Sequence, residues 1–376
     1  MKLPRLSFWE REALQAPVDI AVIGGGIVGL SAAIEAKERY PRRSVRVYER
    51  HTLSTGAGSR NAGFGCFGSL GELRSDLESR SETEVLDLIG QRWAGLRYLR
   101  ERLGDARLRY EACGGYELFL PAEAASYQAC LELLSWFNDR LTATVGSAVY
   151  RPVDAAIRPM GLRGVAHLIH NAYEGLLHPG YLLAGLRQRA LTLGIETQYG
   201  LSVEHLEATS SAVRLHTAAG EIRCEQALVA TNAFTPALLP DLEVHPARNQ
   251  VLLTAPLPRL RLRGGFHYRD GYVYFRHVGD RLLIGGGRFL DPEGETTTDF
   301  GDTEIIQQYL KKFLHKHLVE GPIAIQHRWS GILGVGEHKA PIVRTVAPGL
   351  HVGVRLGGMG VALGSLTARR LAGLLT

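Results

Sequence analysis

The chain has 376 residues, 22% of them charged and 45% hydrophobic, with a formal net charge of +5 and 44 glycines. This is an ordinary globular mix, too long for one typical core and suited to two domains or one α/β domain with an insertion. The arginines are scattered and form no basic run, which argues against nucleic acid as a partner. Cys66, Cys113, Cys130 and Cys224 form no C-x-x-C pair, so neither a disulfide framework nor a metal site is expected. The N-terminal residues carry no long apolar core of a leader. The most apolar run, residues 20–34, is shorter than a membrane span and broken by glycines. A cytoplasmic protein without a transmembrane segment is therefore expected, with reduced thiols.

Residues 18–23 read as a buried parallel strand, apolar except for Asp19. Gly24, Gly26 and Gly29 then form G-x-G-x-x-G, followed by helical spacing over residues 27–38. A second strand, residues 44–50, carries Glu49, 20 residues beyond Gly29. Gly24 permits the tight turn, Gly26 lets the backbone approach a pyrophosphate, and Gly29 lets the helix pack on the strand. The helix N-terminus offers free N–H groups to phosphate. A carboxylate at Glu49 accepts ribose hydroxyls and disfavours a 2′-phosphate. A glycine-rich loop follows Glu49 instead of another strand and helix, so a nicotinamide dehydrogenase with regular repeats is not expected.

Further along, residues 81–104 predict a helix with a Ser81/Glu84 capping box, and Gly104 stops it. A strand at "GYELFL" and a helix over residues 121–141 follow. Residues 178–194 form a helix with proline near its start and glycine at its end. Short strands come next, the last starting at Gln226 and ending in a polar turn. Asp270-Gly271 and Gly279-Asp280 are hairpin signals bounding an alternating strand. On that strand Tyr272, Tyr274 and Arg276 share one face. Residues 302–318 are helical, and the chain closes as strand, glycine turn and helix. The resulting expectation is an α/β fold. A Rossmann-like unit would comprise residues 1–72, 164–241 and 327–376. Residues 73–163 and 242–326 would form an inserted α+β substrate unit with an antiparallel sheet.

The stretches "SFWER", "DIAVIGGGIVGLSAA", "VYERHTLSTGAGSRNAGF", "ALVATNAFT", "RLLIGGG", "RWSGILG" and "RLGGMGVALGSLTARRLA" span nearly the whole chain. In them the chain resembles the FAD-dependent oxidoreductases of the D-amino-acid oxidase, glycine oxidase and sarcosine oxidase superfamily. The resemblance implies FAD held by Gly24, Gly26, Ile27, Val28 and Gly29, with Glu49 and Arg50. It extends the cofactor site to Ser59, Arg60, Asn61, Ala62 and Gly63, whose small members allow close contact with a flat ring. Val203, Thr231, Asn232 and Gly331 join them. Gly357, Gly358, Met359, Gly360, Val361 and Ala362 would cover the ring's pyrimidine end, where backbone N–H groups and the helix dipole stabilise negative charge. Relatives with covalent flavin use a cysteine near the C-terminal loop. None follows Cys224 here, so non-covalent FAD is expected, with Cys66 a small buried residue.

The implied reaction is oxidation of the C–N bond of an amine or amino acid by hydride transfer to flavin N5, the imine then being hydrolysed. Oxygen or another carrier would accept the electrons. A 2-hydroxy-acid dehydrogenase of the same fold is the alternative. Leu333 stands where relatives carry a carboxylate-binding arginine after the glycine of a motif like "RWSGILG", which puts an α-amino-acid substrate in question. Arg276, flanked by Tyr274 and Tyr272, is the substitute expected to bind an anionic group. The competing reading is a cation on a sheet edge with tyrosines in the core. His338, beside Lys339, is a second candidate near the ring, a structural histidine being the bland alternative. No lysine sits in "DRLLIGGGR", where sarcosine-oxidase-like relatives carry one, so dehydrogenase behaviour stays open.

Overall fold

Burial decides where the first strand lies. Val18–Ile23 is apolar on both faces, and a strand with two greasy faces belongs inside a covered parallel sheet. A computed structural model, which describes residues 6–376, places it there; the first five residues of the expected 1–72 piece lie outside the described residues. It pairs in parallel with Val45–Glu49 on one side and with Gly220–Val229 on the other. Leu350–Val354 and Glu196–Tyr199 extend the parallel core, and Ile342–Ala347 adds an antiparallel edge. Val203–Ala208 and Val213–Thr217 pair antiparallel as a side branch from the first half of Gly220–Val229.

The turn after the first strand is dictated by contact distance. Gly24 has φ +108°, and a Cβ there would lie 2.7 Å from the Ala230 carbonyl oxygen. A Cβ on Gly29 would lie 1.8 Å from the Gly24 oxygen, so the helix Ile27–Arg39 can start only with glycine at both places. Lys37 and Arg39 in its last turn complement the helix dipole.

The second sheet also has eight strands. Its order is Ile325–Val335, His245–Thr254, Arg281–Gly286, Val273–Val278, Gly265–Tyr268, Gly115–Phe119, His167–Asn171 and Tyr150–Pro152. All neighbours are antiparallel except Gly265–Tyr268 against Gly115–Phe119, a parallel pair joining segments far apart in sequence. Its core stacks Phe266 on Phe275, with Phe313 of the helix Glu304–Phe313 packed against Phe275. The helix expected over 302–318 ends in a π-type turn, Leu314–Leu318. The one expected over 121–141 opens as a 3-10 turn before Ala124–Leu141.

Two expected boundaries are corrected by strand pairing. His167–Asn171 falls within the 164–241 piece assigned to the nucleotide unit, yet it lies in the second sheet. Ile325–Val335 likewise overlaps the 327–376 piece but pairs along its length with His245–Thr254. An alternating pattern says that a segment is a strand, not which sheet recruits it. A third crossing runs the other way. The helix Glu82–Leu103, from the expected substrate unit, packs on the C-terminal helix Gly360–Ala372. They approach so closely that a Cβ on Gly95 would lie 2.1 Å from the Ala362 oxygen. Its Leu96 and Leu99 share one apolar core with Leu30 and Ile34 of the glycine-turn helix.

Candidate active site

A cavity of about 890 Å³ opens between the two sheets, in the upper part of the range for ligand pockets. At one end it is walled by the glycine turn, Glu49 and Arg50. Along its length it meets the 56–64 loop, Val203, Thr231 and Asn232, then Gly331 and the turn 357–362. Of the residues expected at a cofactor, all line it except Gly29 and Ser59. Gly29 is instead consumed by the helix start described above, and the Ser59 hydroxyl donates to the Gly56 carbonyl at 3.1 Å.

Gly26 and Gly357 line the cavity, and an added Cβ at either would meet no atom within 4 Å. The helices that start there, Ile27–Arg39 and Gly360–Ala372, have no side-chain cap, so their first amides stay available to an anionic or electron-rich ligand. Glu49 is buried, accepts from the Gly25 N–H at 2.9 Å and the His51 N–H at 3.1 Å, and retains lone pairs for further donors. This cradle of bare backbone, with a fixed carboxylate at one end, fits a dinucleotide.

The loop beside the cavity is shaped by its own side chains. Asn61 donates to the Ala57 and Gly58 carbonyls and accepts from the Gly63 N–H at 2.9 Å. Arg60 donates to the Thr55 and Ser330 carbonyls, both at 3.0 Å, and lies over the Phe300 ring. Asn232, at φ +47°, accepts from the Arg355 and Leu356 N–H groups, tying its turn to the approach of the C-terminal helix. The donor groups of the Ser59 and Asn61 side chains are thus spent on the loop itself.

Arg276 is the main correction. It is 6% exposed and does not line the cavity. Its Nη1 donates to the carbonyls of Ala62 at 3.1 Å, Gly63 at 2.9 Å and Leu177 at 2.8 Å, while Nε donates to the His277 carbonyl. Burial pulls its pKa down to about 10. The strand is Val273–Val278, so Tyr272 lies just before it, and only Tyr272 and Tyr274 of the expected trio line the cavity. The long arginine, however, reaches past the cavity wall into a nest of carbonyls. His338 is exposed and also absent from the cavity lining, because its loop turns it outward.

Its neighbour Lys339 does line the cavity, bonded to Glu72 at 2.9 Å and Asp76 at 2.8 Å. Burial would raise the Glu72 carboxyl, but Arg92 at 3.1 Å and Lys339 outweigh it and hold its pKa at about 2. Tyr274 lies over Gly285, and burial pushes its phenol well up. Tyr272 is half-exposed at the same end, with Arg288 5.5 Å over its ring. Arg288 lines the cavity and has no acidic partner among the described residues. It follows Gly286 and Gly287, both at positive φ, which swing the chain off its strand. That glycine pair was the signal available in "GGGR".

His267 and Glu174 were not anticipated either. His267 lines the cavity; its Nε2 lies 3.3 Å from Glu174, whose other oxygen accepts from the Phe67 and Gly68 N–H groups. Glu174 is an acid in a mostly apolar stretch, 3% exposed, which is the trace it leaves in the sequence.

Against this geometry, the sequence profile of the family described as "FAD dependent oxidoreductase" matches residues 19–374, and the chain belongs to that family. It is 26% identical to a probable oxidoreductase OrdL of Rhizobium meliloti, over 98% of this chain and 88% of that one. It is also 26% identical to the gamma-glutamylputrescine oxidoreductase of Escherichia coli, over 95% of this chain and 83% of that one. The glycine oxidase of Geobacillus kaustophilus is 25% identical over 71% of this chain and 69% of its own. Among solved structures, L-proline dehydrogenase from P. horikoshii shares the fold at a TM-score of 0.76 and 16% identity, covering 96% of this chain and 93% of that one. The protein is thus an FAD-dependent oxidoreductase. Among the described residues no helix is long and apolar enough to cross a membrane.

Proposed function

We propose that this enzyme oxidises the C–N bond of a small amine or amino acid. One observation carries the reading: a single cavity joins a backbone cradle fit for a dinucleotide to a compact pocket of Tyr272, Tyr274, His267 and Arg288. Bound FAD supplies the two-electron acceptor, flavin N5, for hydride from the substrate α-carbon, leaving an imine that water hydrolyses. Gly24, Gly26 and the first amides of Ile27–Arg39 would hold the pyrophosphate, and Glu49 the ribose. Arg60 to Gly63 and Gly357 to Ala362 would hold the flavin. The link is non-covalent: burial pushes the Cys66 thiol well up, and a protonated thiol is a poor nucleophile. The gamma-glutamylputrescine oxidoreductase and glycine oxidase relatives bear names that favour a nitrogen substrate.

The protein's share of the chemistry is orientation and protonation control. Arg288 replaces Arg276 as the contact for an anionic substrate group, since its guanidinium faces the cavity without a carboxylate. Lys339 is committed to Glu72 and Asp76 and serves as the electrostatic floor.

The test is the visible spectrum of the holoprotein under anaerobic conditions, before and after addition of primary and secondary amines, amino acids and 2-hydroxy acids. Bleaching of the flavin bands by an amine or amino acid is expected. Bleaching by hydroxy acids alone overturns the proposal.

A further inference from the structure

His267 stands on the strand Gly265–Tyr268, its ring 5.2 Å from that of Phe64, which directly follows the loop at the cofactor cradle. Its two nitrogens have different surroundings. Nε2 faces the Glu174 carboxylate at 3.3 Å. Nδ1 has no hydrogen-bond partner and is not sealed off, since His267 lines the cavity. A hydrogen bond from Nε2–H to the Glu174 carboxylate selects, in the neutral ring, the tautomer whose lone pair is on Nδ1, the nitrogen without a protein partner, beside Gly271 of the cavity lining. Glu174 is itself immobile, anchored by the Phe67 and Gly68 amides.

The other polar groups at this end are poorer proton acceptors. Burial pushes the Tyr274 phenol and the Cys66 thiol up, so both stay protonated. Glu72 is neutralised by Arg92 and Lys339. Asp270 already accepts from Ser75, and a carboxylate is a weaker base than an imidazole. Glu117, opposite His267 on the neighbouring strand, is bonded to Ser69 and the Gly71 amide and does not line the cavity. Burial by itself would lower the His267 pKa; the hydrogen bond and charge of Glu174, with Glu117 and Glu72 behind it, leave it raised.

We infer that His267, oriented by Glu174, is the general base that removes a proton from the substrate ammonium group before its α-carbon is oxidised. The inference rests on the amine reading above. The ammonium N–H bond breaks, its electron pair stays on the substrate nitrogen, and the proton passes to Nδ1. The imidazolium so formed is paired with Glu174, and no electrons are exchanged in this step. A positioned base of this kind contributes roughly 10²–10⁴-fold.

The experiment is anaerobic stopped-flow reduction of the holoenzyme by its best amine across pH, for wild type, His267→Gln and Glu174→Gln. The wild-type rate should rise with pH through the ionisation of His267, coupled to that of Glu117, whose carboxyl burial pushes up to about 7. His267→Gln should lose that limb, fall roughly 10²-fold or more near neutrality, and recover at alkaline pH where the free amine is abundant. Glu174→Gln should shift the limb to lower pH, which a merely structural role would not do. A second readout needs no turnover: the ¹⁵N shifts of the labelled His267 ring in the holoprotein should show the Nε2–H tautomer above the kinetic limb and an imidazolium below it. A His267→Gln enzyme with wild-type rate and pH profile overturns the inference, as does a His267 ring whose ¹⁵N titration falls elsewhere than the kinetic limb. Cys66, Glu174 and His267 also place their ligand atoms within 4.8 Å of one another. A bound transition metal found by elemental analysis, with activity lost to chelator, would likewise overturn it. A wild type that no amine reduces refutes the amine reading as well, so the two failures are told apart on the wild type.

Discussion

The two ends of the cavity are built from different materials. The nucleotide end is made of backbone: crowded glycines at 24 and 29, open ones at 26 and 357, and amides at helix starts with no cap. The substrate end is made of side chains brought from distant segments, with Glu72, Arg92, Glu174, His267, Arg288 and Lys339 arriving on different elements. Backbone recognition tolerates little substitution, because a Cβ at Gly24 or Gly29 would strike backbone and one at Gly26 or Gly357 would project into space that a ligand needs. Side-chain recognition can be re-specified, because each group is replaceable without rebuilding the turn that holds it. This contrast places identity of cofactor in one half and choice of substrate in the other.

The contrast is broken most severely at Gly29. Gly29→Val would drive its Cβ into the Gly24 carbonyl, so a protein recovered without its yellow colour is expected. Retention of stoichiometric flavin after purification would contradict it. Next comes Arg276, which joins the two halves. Arg276→Met leaves the buried Ala62 and Leu177 carbonyls without a donor, Gly63 keeping the Leu177 N–H, and should destabilise the fold by about 3 kcal/mol in urea unfolding. Substrate preference should stay unchanged, whereas the clamp expected from the sequence would have changed it. Arg288→Ala sharpens the contrast from the other side. It should raise KM for carboxylate-bearing substrates roughly tenfold or more and leave simple amines and thermal stability alone.

The smallest effect concerns pH. Glu72 has a depressed pKa of about 2 in the folded chain, so its ionised form adds stability above the ordinary carboxylate pKa. That stability is lost as pH falls from about 4.5 toward 2. Lys339→Met removes one of the two cations responsible and should flatten this part of a stability–pH curve, Arg92 sustaining the remainder.

How much was legible follows the same division. The glycines at 24, 26 and 29 and the acid at 49 carry spacing that only a local, backbone-defined site imposes, and the structure sets them around one turn. Strand alternation put Tyr272, Tyr274 and Arg276 on one face, and of these Tyr272 and Tyr274 line the cavity. It was silent on reach, and Arg276 is long enough to leave the face its neighbours serve. His267 and Glu174 lie 93 residues apart and meet only because the loop after Asn171 folds back beside the second sheet. No local pattern encodes that meeting. The placement of Ile325–Val335 was lost for the same reason, since strand partners are chosen by tertiary packing.

The guanidinium of Arg276 has one more consequence. It gathers carbonyls from the cofactor loop, from the segment at Leu177 and, through its own strand, from the second sheet. Gly63 sits inside this knot with no space for a methyl group, its Cβ position 2.2 Å from the Leu177 oxygen. The joint between the halves is therefore pinned at a buried point, where one cation of the second sheet holds carbonyls from two segments of the cofactor side at once.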